Sequence, residues 1–137
     1  MLAIAVVGLA GCAVPDPPAR MSGRTGSIVV LSVQELAVDG GPAYTEGAVV
    51  EARLRDASGH VVGTERGAVA LRHDLLRFDR LRPGSYTIEP ALRPCDGNCG
   101  YLDPRAGECV TPVKVGAATV RLQVVFRGDE PCVVTQG

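Results

Sequence analysis

Apolar and polar side chains alternate almost one for one along residues 118–127, Ala-Thr-Val-Arg-Leu-Gln-Val-Val-Phe-Arg. A period of two puts Val120, Leu122, Val124 and Phe126 on one face and Thr119, Arg121, Gln123 and Arg127 on the other. That pattern suits a half-buried strand and cannot build the apolar stripe of a helix. Shorter runs repeat it from residue 26 on, and Gly, Pro, Asp and Asn clusters cut them about every eight to twelve residues. Strands are expected over 27–36, 49–56, 60–64, 68–71, 75–78, 85–92, 110–115 and 118–127. In the second, Val50, Ala52 and Leu54 face inward while Glu51, Arg53 and Arg55 face water. Pro83-Gly84 is a turn, and Pro90 demotes the end of its strand to an edge or a bulge. No internal repeat or second domain is visible, so the chain reads as all-β, a seven- to eight-stranded antiparallel β-sandwich.

Composition narrows the function. The net charge of −1 makes no electrostatic case for nucleic acid or for an anionic membrane surface. Trp is absent and aromatics are confined to 3 Tyr and 2 Phe, which argues against a stacking platform for bases or sugars. Lys114 is the one lysine beside many arginines, and with abundant Ala, Gly, Val and Pro this bias points to a high-GC genome of actinobacterial type.

Residues 2–10 are continuously apolar. They are too short to span a bilayer as a helix, which takes about 20 residues, but they fit the apolar region of a signal peptide. The run closes on Leu9-Ala10-Gly11-Cys12, which resembles the processing site of bacterial lipoproteins. The resemblance implies cleavage between Gly11 and Cys12, lipid on the Cys12 thiol and an acylated amine, holding the protein on the extracytoplasmic face of the cell membrane. One chain alone anchors only marginally, and several hold firmly. No Lys or Arg precedes the run, a departure from the usual leader; a start upstream of Met1 accounts for it. Residues 1–11 are then the leader, 12–26 the lipidated Cys with a Pro- and Gly-rich tether, and 27–137 the sandwich domain.

A second resemblance lies within the domain. Phe78-x-x-Leu81-x-Pro83-Gly84-x-Tyr86-x-Ile88 is similar to the strand–turn–strand element of prealbumin-like sandwiches, including the carboxypeptidase regulatory-like and collagen-adhesin B-type domains. Residues 50–59 look like a strand of that family ending in an acidic-Gly hairpin. The likeness covers roughly 28–94 and 110–127 and implies an accessory, stalk or binding module, not a catalyst. Adhesin-type members often carry a Lys–Asn isopeptide bond; here Lys114 comes late and the last strand holds no Asn, so none is expected.

The departure from that family is the loop from Cys95 to Cys109, which resembles a loop of small actinobacterial lipoproteins of unassigned function. With Cys132, Cys95, Cys99 and Cys109 make an even set, which in an exported chain reads as two disulfides. A four-thiolate zinc site would want paired short spacings, and only Cys95 and Cys99 are close. Two pairings are open: Cys95–Cys132 nested around Cys99–Cys109, which is preferred, or Cys95–Cys109 with Cys99–Cys132.

Asp96, Asn98, Asp103 and Glu108 make this loop rich in oxygen ligands. Its start resembles a calcium loop, but the twelfth position is Gly107, with Glu108 one place late. Turn-forming residues in a pinned surface loop are the reading adopted, with no metal and no cofactor. His60 and His73 have no clustered ligands, and neither a Gly-x-Ser-x-Gly nor a phosphate loop occurs, so no enzyme is expected. The expectation is a membrane-anchored binding or structural module that meets an envelope protein through loop 95–109. Asp96, Asn98, Tyr101, Leu102 and Asp103 would be its contact residues. A carrier of a small ligand or calcium, or an enzyme inhibitor, is the alternative.

Overall fold

The alternation along 118–127 is realised as one of eight strands in a computed structural model that describes residues 23–34, 48–68, 75–95, 99–127 and 130–137. The strands are β1 (Gly26–Gln34), β2 (Ala48–Arg55), β3 (Val61–Ala68), β4 (Leu75–Leu81), β5 (Gly84–Pro94), β6 (Thr111–Val115), β7 (Thr119–Phe126) and β8 (Val133–Gln136). Residues 1–22, with the expected leader and Cys12, lie outside the described residues, as do 35–36 and 69–71 of the expected strands.

Two four-stranded sheets, ordered β4-β1-β7-β8 and β3-β2-β5-β6, pack face to face. Val30, Val50, Leu54, Ile88, Val124 and Phe126 are almost wholly buried between them. All pairs run antiparallel except one. β1 lies parallel to β7, with Ser27 opposite Thr119 through to Gln34 opposite Phe126. Alternation fixes which face a residue takes but says nothing about a partner's direction, so this departure from an all-antiparallel sandwich left no trace in the pattern. Parallel neighbours need a long crossover, and the chain between β1 and β7 supplies it. As a central strand, β1 buries both faces: Ile28 and Val30 enter the core, while Val29 is 2% exposed between Arg77 of β4 and Arg121 of β7. This explains its nearly unbroken apolar run.

Three strands differ from expectation. β3 runs on to Ala68, past the expected end at Thr64, because as an edge its Gly63, Thr64, Glu65 and Arg66 carry no apolar alternation. Its Val61 and Val62 are about half exposed, and Gly63 lets the Phe78 ring of the other sheet come close. β4 runs on to Leu81 through a bulge between its pairings with Gly26 and Ile28. β8, four residues long and paired only to β7, was too short to announce itself.

Pro90 also finds its reason. β5 pairs with β6 only as far as Ile88, so beyond that point one edge of β5 is open. The Pro90 and Pro94 carbonyls and both Leu92 backbone groups turn to this side. The missing Pro90 N–H therefore costs no bond to β2.

The strand directions sort the loops into two ends. Residues 23–25 enter at the same end as the 56–60, 82–83 and 116–118 turns, while the cysteine loop lies at the far end. At the entry end Gly26 is pressed against the neighbouring turn, so that a Cβ there would lie 2.2 Å from the Gly116 carbonyl oxygen. A Cβ on Gly84 would meet nothing within 4 Å. Gly26→Ala should therefore lower the free energy of unfolding by about 1–3 kcal/mol, while Gly84→Ala leaves it within about 1 kcal/mol. Urea midpoints of the two variants check the contrast.

Candidate functional site

The cysteine loop takes the place of a strand. Where β6 has left β5, Cys109 N–H donates to the Pro90 carbonyl at 3.3 Å. Leu92 and Ala106 exchange bonds of 2.9 and 2.8 Å, and Asp103 N–H reaches the Pro94 carbonyl at 2.8 Å. Residues 103–109 thus run back along the open edge of β5, satisfying backbone groups that would otherwise be bare. The Gly107 carbonyl then accepts from Cys132 N–H at 2.9 Å, tying the loop to the strand beginning at Val133.

This path decides the disulfides. Two bridges are present, but they join Cys95 to Cys99 and Cys109 to Cys132, with Cα separations of 4.7 and 5.1 Å. Both expected pairings are overturned. Cys109 and Cys132 each contact the Pro90 carbonyl, five residues back from Cys95. At about 3.3 Å per residue that is about 16 Å along the strand, beyond any disulfide's reach. Neither expected pairing allows for a loop that doubles back along β5.

A buried carboxylate holds the loop down. Alternation placed Glu51 in water, yet its side chain is 1% exposed. It stands on the outer face of β2 opposite Ala91, itself wholly buried. Arg66 from β3 donates Nε at 2.6 Å, Arg93 from β5 and Arg53 from β2 approach at 3.4 and 3.5 Å, and Arg105 reaches back from the loop to Oε1. Arg105 also donates to the Glu89 carbonyl at 2.6 Å and lies 3.5 Å from Glu108. Its buried Nε meets no acceptor among the described residues. Arg93 completes the clamp, donating to the Asp103 and Leu102 carbonyls at 2.5 and 3.3 Å. Burial pushes the Glu51 pKa up, but the hydrogen bonds and positive charges of Arg66 and Arg105 outweigh it and hold the carboxyl below its usual value.

The expected contact residues fall into three groups. Asp96 and Asn98 lie outside the described residues. Tyr101 is 81% exposed at the loop tip. Leu102 is half-buried and Asp103 exposed, and both spend backbone carbonyls on Arg93. Glu51, Arg66, Arg93 and Arg105 were not foreseen. The one clue was Arg105, the only basic residue in a loop containing Asp96, Asp103 and Glu108. Among the described residues no three His, Cys, Asp or Glu side chains are placed to share a metal ion. Every described cysteine is bridged, and Glu51 is too firmly paired to serve as a base. The arrangement is suited to holding a shape.

Removing the central anion leaves the partly buried Arg105 with only the exposed Glu108 carboxylate at 3.5 Å, so Glu51→Gln should cost about 3 kcal/mol in urea unfolding. Because the folded pKa of Glu51 is depressed, its contribution is present above the unfolded value of about 4.3. It is lost as pH falls through the lower folded value. The acid-side loss of stability should therefore be steeper in the wild type than in Glu51→Gln. The staples differ in loop length: replacing Cys109 and Cys132 with Ala should cost about 3 kcal/mol, and replacing Cys95 and Cys99 about 2 kcal/mol. Compared with known proteins, the chain matches no family model and no curated protein.

Proposed function

We propose that the protein is a lipid-anchored module of the bacterial cell envelope that binds a protein partner through loop 95–109 and carries out no chemistry of its own. The observation that carries this reading is the placement of Tyr101. An aromatic ring 81% exposed stands on a backbone fixed by Arg93, by strand-like bonds to β5 and by two disulfides. Such preorganisation spares a contact residue the cost of ordering its loop on binding. Exposed tyrosines on rigid supports are common anchors of interfaces.

The geometry of attachment agrees. The chain enters the sandwich at the end remote from the loop, so a lipid on Cys12 would leave Tyr101 turned away from the bilayer. The likeness to prealbumin-like accessory domains points the same way. It draws support from the two four-stranded sheets and from Phe78 and Ile88, which flank the Pro83-Gly84 turn and are both buried. The actinobacterial source remains part of this proposal and rests on composition.

Two measurements test it. Intact mass of the native protein from membranes should begin at Cys12 with added acyl groups; an unmodified chain retaining Met1 overturns the anchoring. Tyr101→Ala should leave the melting temperature unchanged and abolish recovery of one specific envelope protein in affinity capture. Recovery of the same proteins by variant and wild type, or of none by either, overturns the binding role.

A further inference from the structure

The net charge of −1 conceals an uneven distribution. At the end where residues 23–25 enter the sandwich, Arg24, Arg80, Arg82 and Lys114 are all exposed. No ion pair among the described residues engages any of them. The two carboxylates at this end are already occupied. Asp56 accepts the backbone N–H groups of Ser58 and His60 at 2.9 and 3.0 Å, and Asp79 is paired with Arg77 at 2.7 Å. The local surface is thus positive although the chain is not.

Arg80 adds an observation of a different kind. Its φ of 55° is the left-handed conformation, and it is the only non-glycine residue found there among those described. It sits in the β4 bulge, between the pairings of Leu81 with Gly26 and of Phe78 with Ile28. Bulges re-aim side chains, and a non-glycine residue held at positive φ is a local cost that the surrounding structure sustains. Glycine would take this position without strain. Arg80 instead lines a shallow polar groove with Thr25, Ser27, Arg77, Asp79 and Thr119. Within it the Ser27 and Thr119 hydroxyls bond each other at 2.8 Å and Arg77 pairs with Asp79, which leaves the Arg80 guanidinium as the cation there with no ion pair among the described residues, a group suited to phosphate oxygens.

We infer that this end of the sandwich rests on an anionic phospholipid surface, with Arg24, Arg80, Arg82 and Lys114 facing the headgroups. The inference rests on the lipid-anchored reading for the reason this end meets a bilayer. Ten residues lie between Cys12 and residue 23, and the eleven steps at about 3.3–3.6 Å each reach at most about 40 Å. A charged surface acts only within a Debye length of about 8 Å, so the tether confines this end to the neighbourhood of the bilayer and the cations would act over the last stretch. Net charge alone makes no case for such a surface, but what a membrane would meet is the local surface and not the total.

The test uses the chain from residue 12 onward with Cys12→Ser, so that no acyl chain contributes. It is sedimented with vesicles of phosphatidylglycerol mixed with phosphatidylcholine, and with phosphatidylcholine alone. Binding is expected only to the anionic vesicles and should fall as salt is raised. Each cation removed should weaken partitioning about fivefold, equivalent to about 1 kcal/mol at a charged headgroup surface. Arg82→Gln and Lys114→Gln read this directly. Arg80→Gly separates binding from folding, because it relieves the backbone: its melting temperature should hold or rise while binding weakens about fivefold. Equal binding to both vesicles, binding to neither, or anionic binding that all three variants leave unchanged overturns the inference. Failure of native Cys12 acylation would overturn the anchoring instead, and a positive vesicle result would stand without it.

Discussion

The buried carboxylate of Glu51 is the point on which the far half of the molecule turns. One anion receives guanidinium groups from β2, β3, β5 and the cysteine loop. It therefore ties three adjacent strands to a segment that has no regular structure of its own. An ion pair of this kind contributes little net stability relative to well-packed apolar residues, because desolvation offsets much of the attraction. Its strength is directional. Planar guanidinium groups accept few arrangements around a carboxylate, so the cluster selects one position for Arg105 and with it one path for the loop. The disulfides act differently, by narrowing the unfolded ensemble. Cys109–Cys132 joins the end of the loop to the start of β8, while Glu51 fixes its middle.

The strand content of the chain was legible wherever one face is dry and the other wet. β2, β5 and β7 alternate because their even-numbered apolar residues enter the core. The same rule failed at Glu51, and for a physical reason. Period two assigns residues to two faces, and water is only the default covering for the second. A loop lying along β5 covered it here, and nothing in the spacing of residues 48–55 records a segment 54 positions downstream. The disulfides failed similarly. Their existence follows from four cysteines, but their partners depend on where the loop runs, which hydrogen bonds to Pro90, Leu92 and Pro94 decide. Tyr101 needed no tertiary information, since a lone aromatic in a Gly- and Asp-rich loop has no core to join.

The two ends of the sandwich are built to different specifications. At the far end irregular backbone is fixed by ionic and covalent ties and presents an aromatic ring. At the entry end tight turns, such as the Asp56-capped hairpin with Gly59 at φ 83°, present cations. A sandwich keeps these ends apart by the length of its strands, so each can change with little effect on the other.

The parallel seating of β1 beside β7 carries a kinetic consequence. The first strand of the domain is also a central one, and one of its two neighbours is the seventh strand in order. Until that late segment has arrived, one edge of β1 has no partner and the sheet cannot close. Non-local pairing of this sort folds slowly, because the entropy of closing a long loop comes before the contacts that reward it. A polypeptide so wired lingers as a pliable thread and becomes a rigid body only when nearly all of its strands are available to one another.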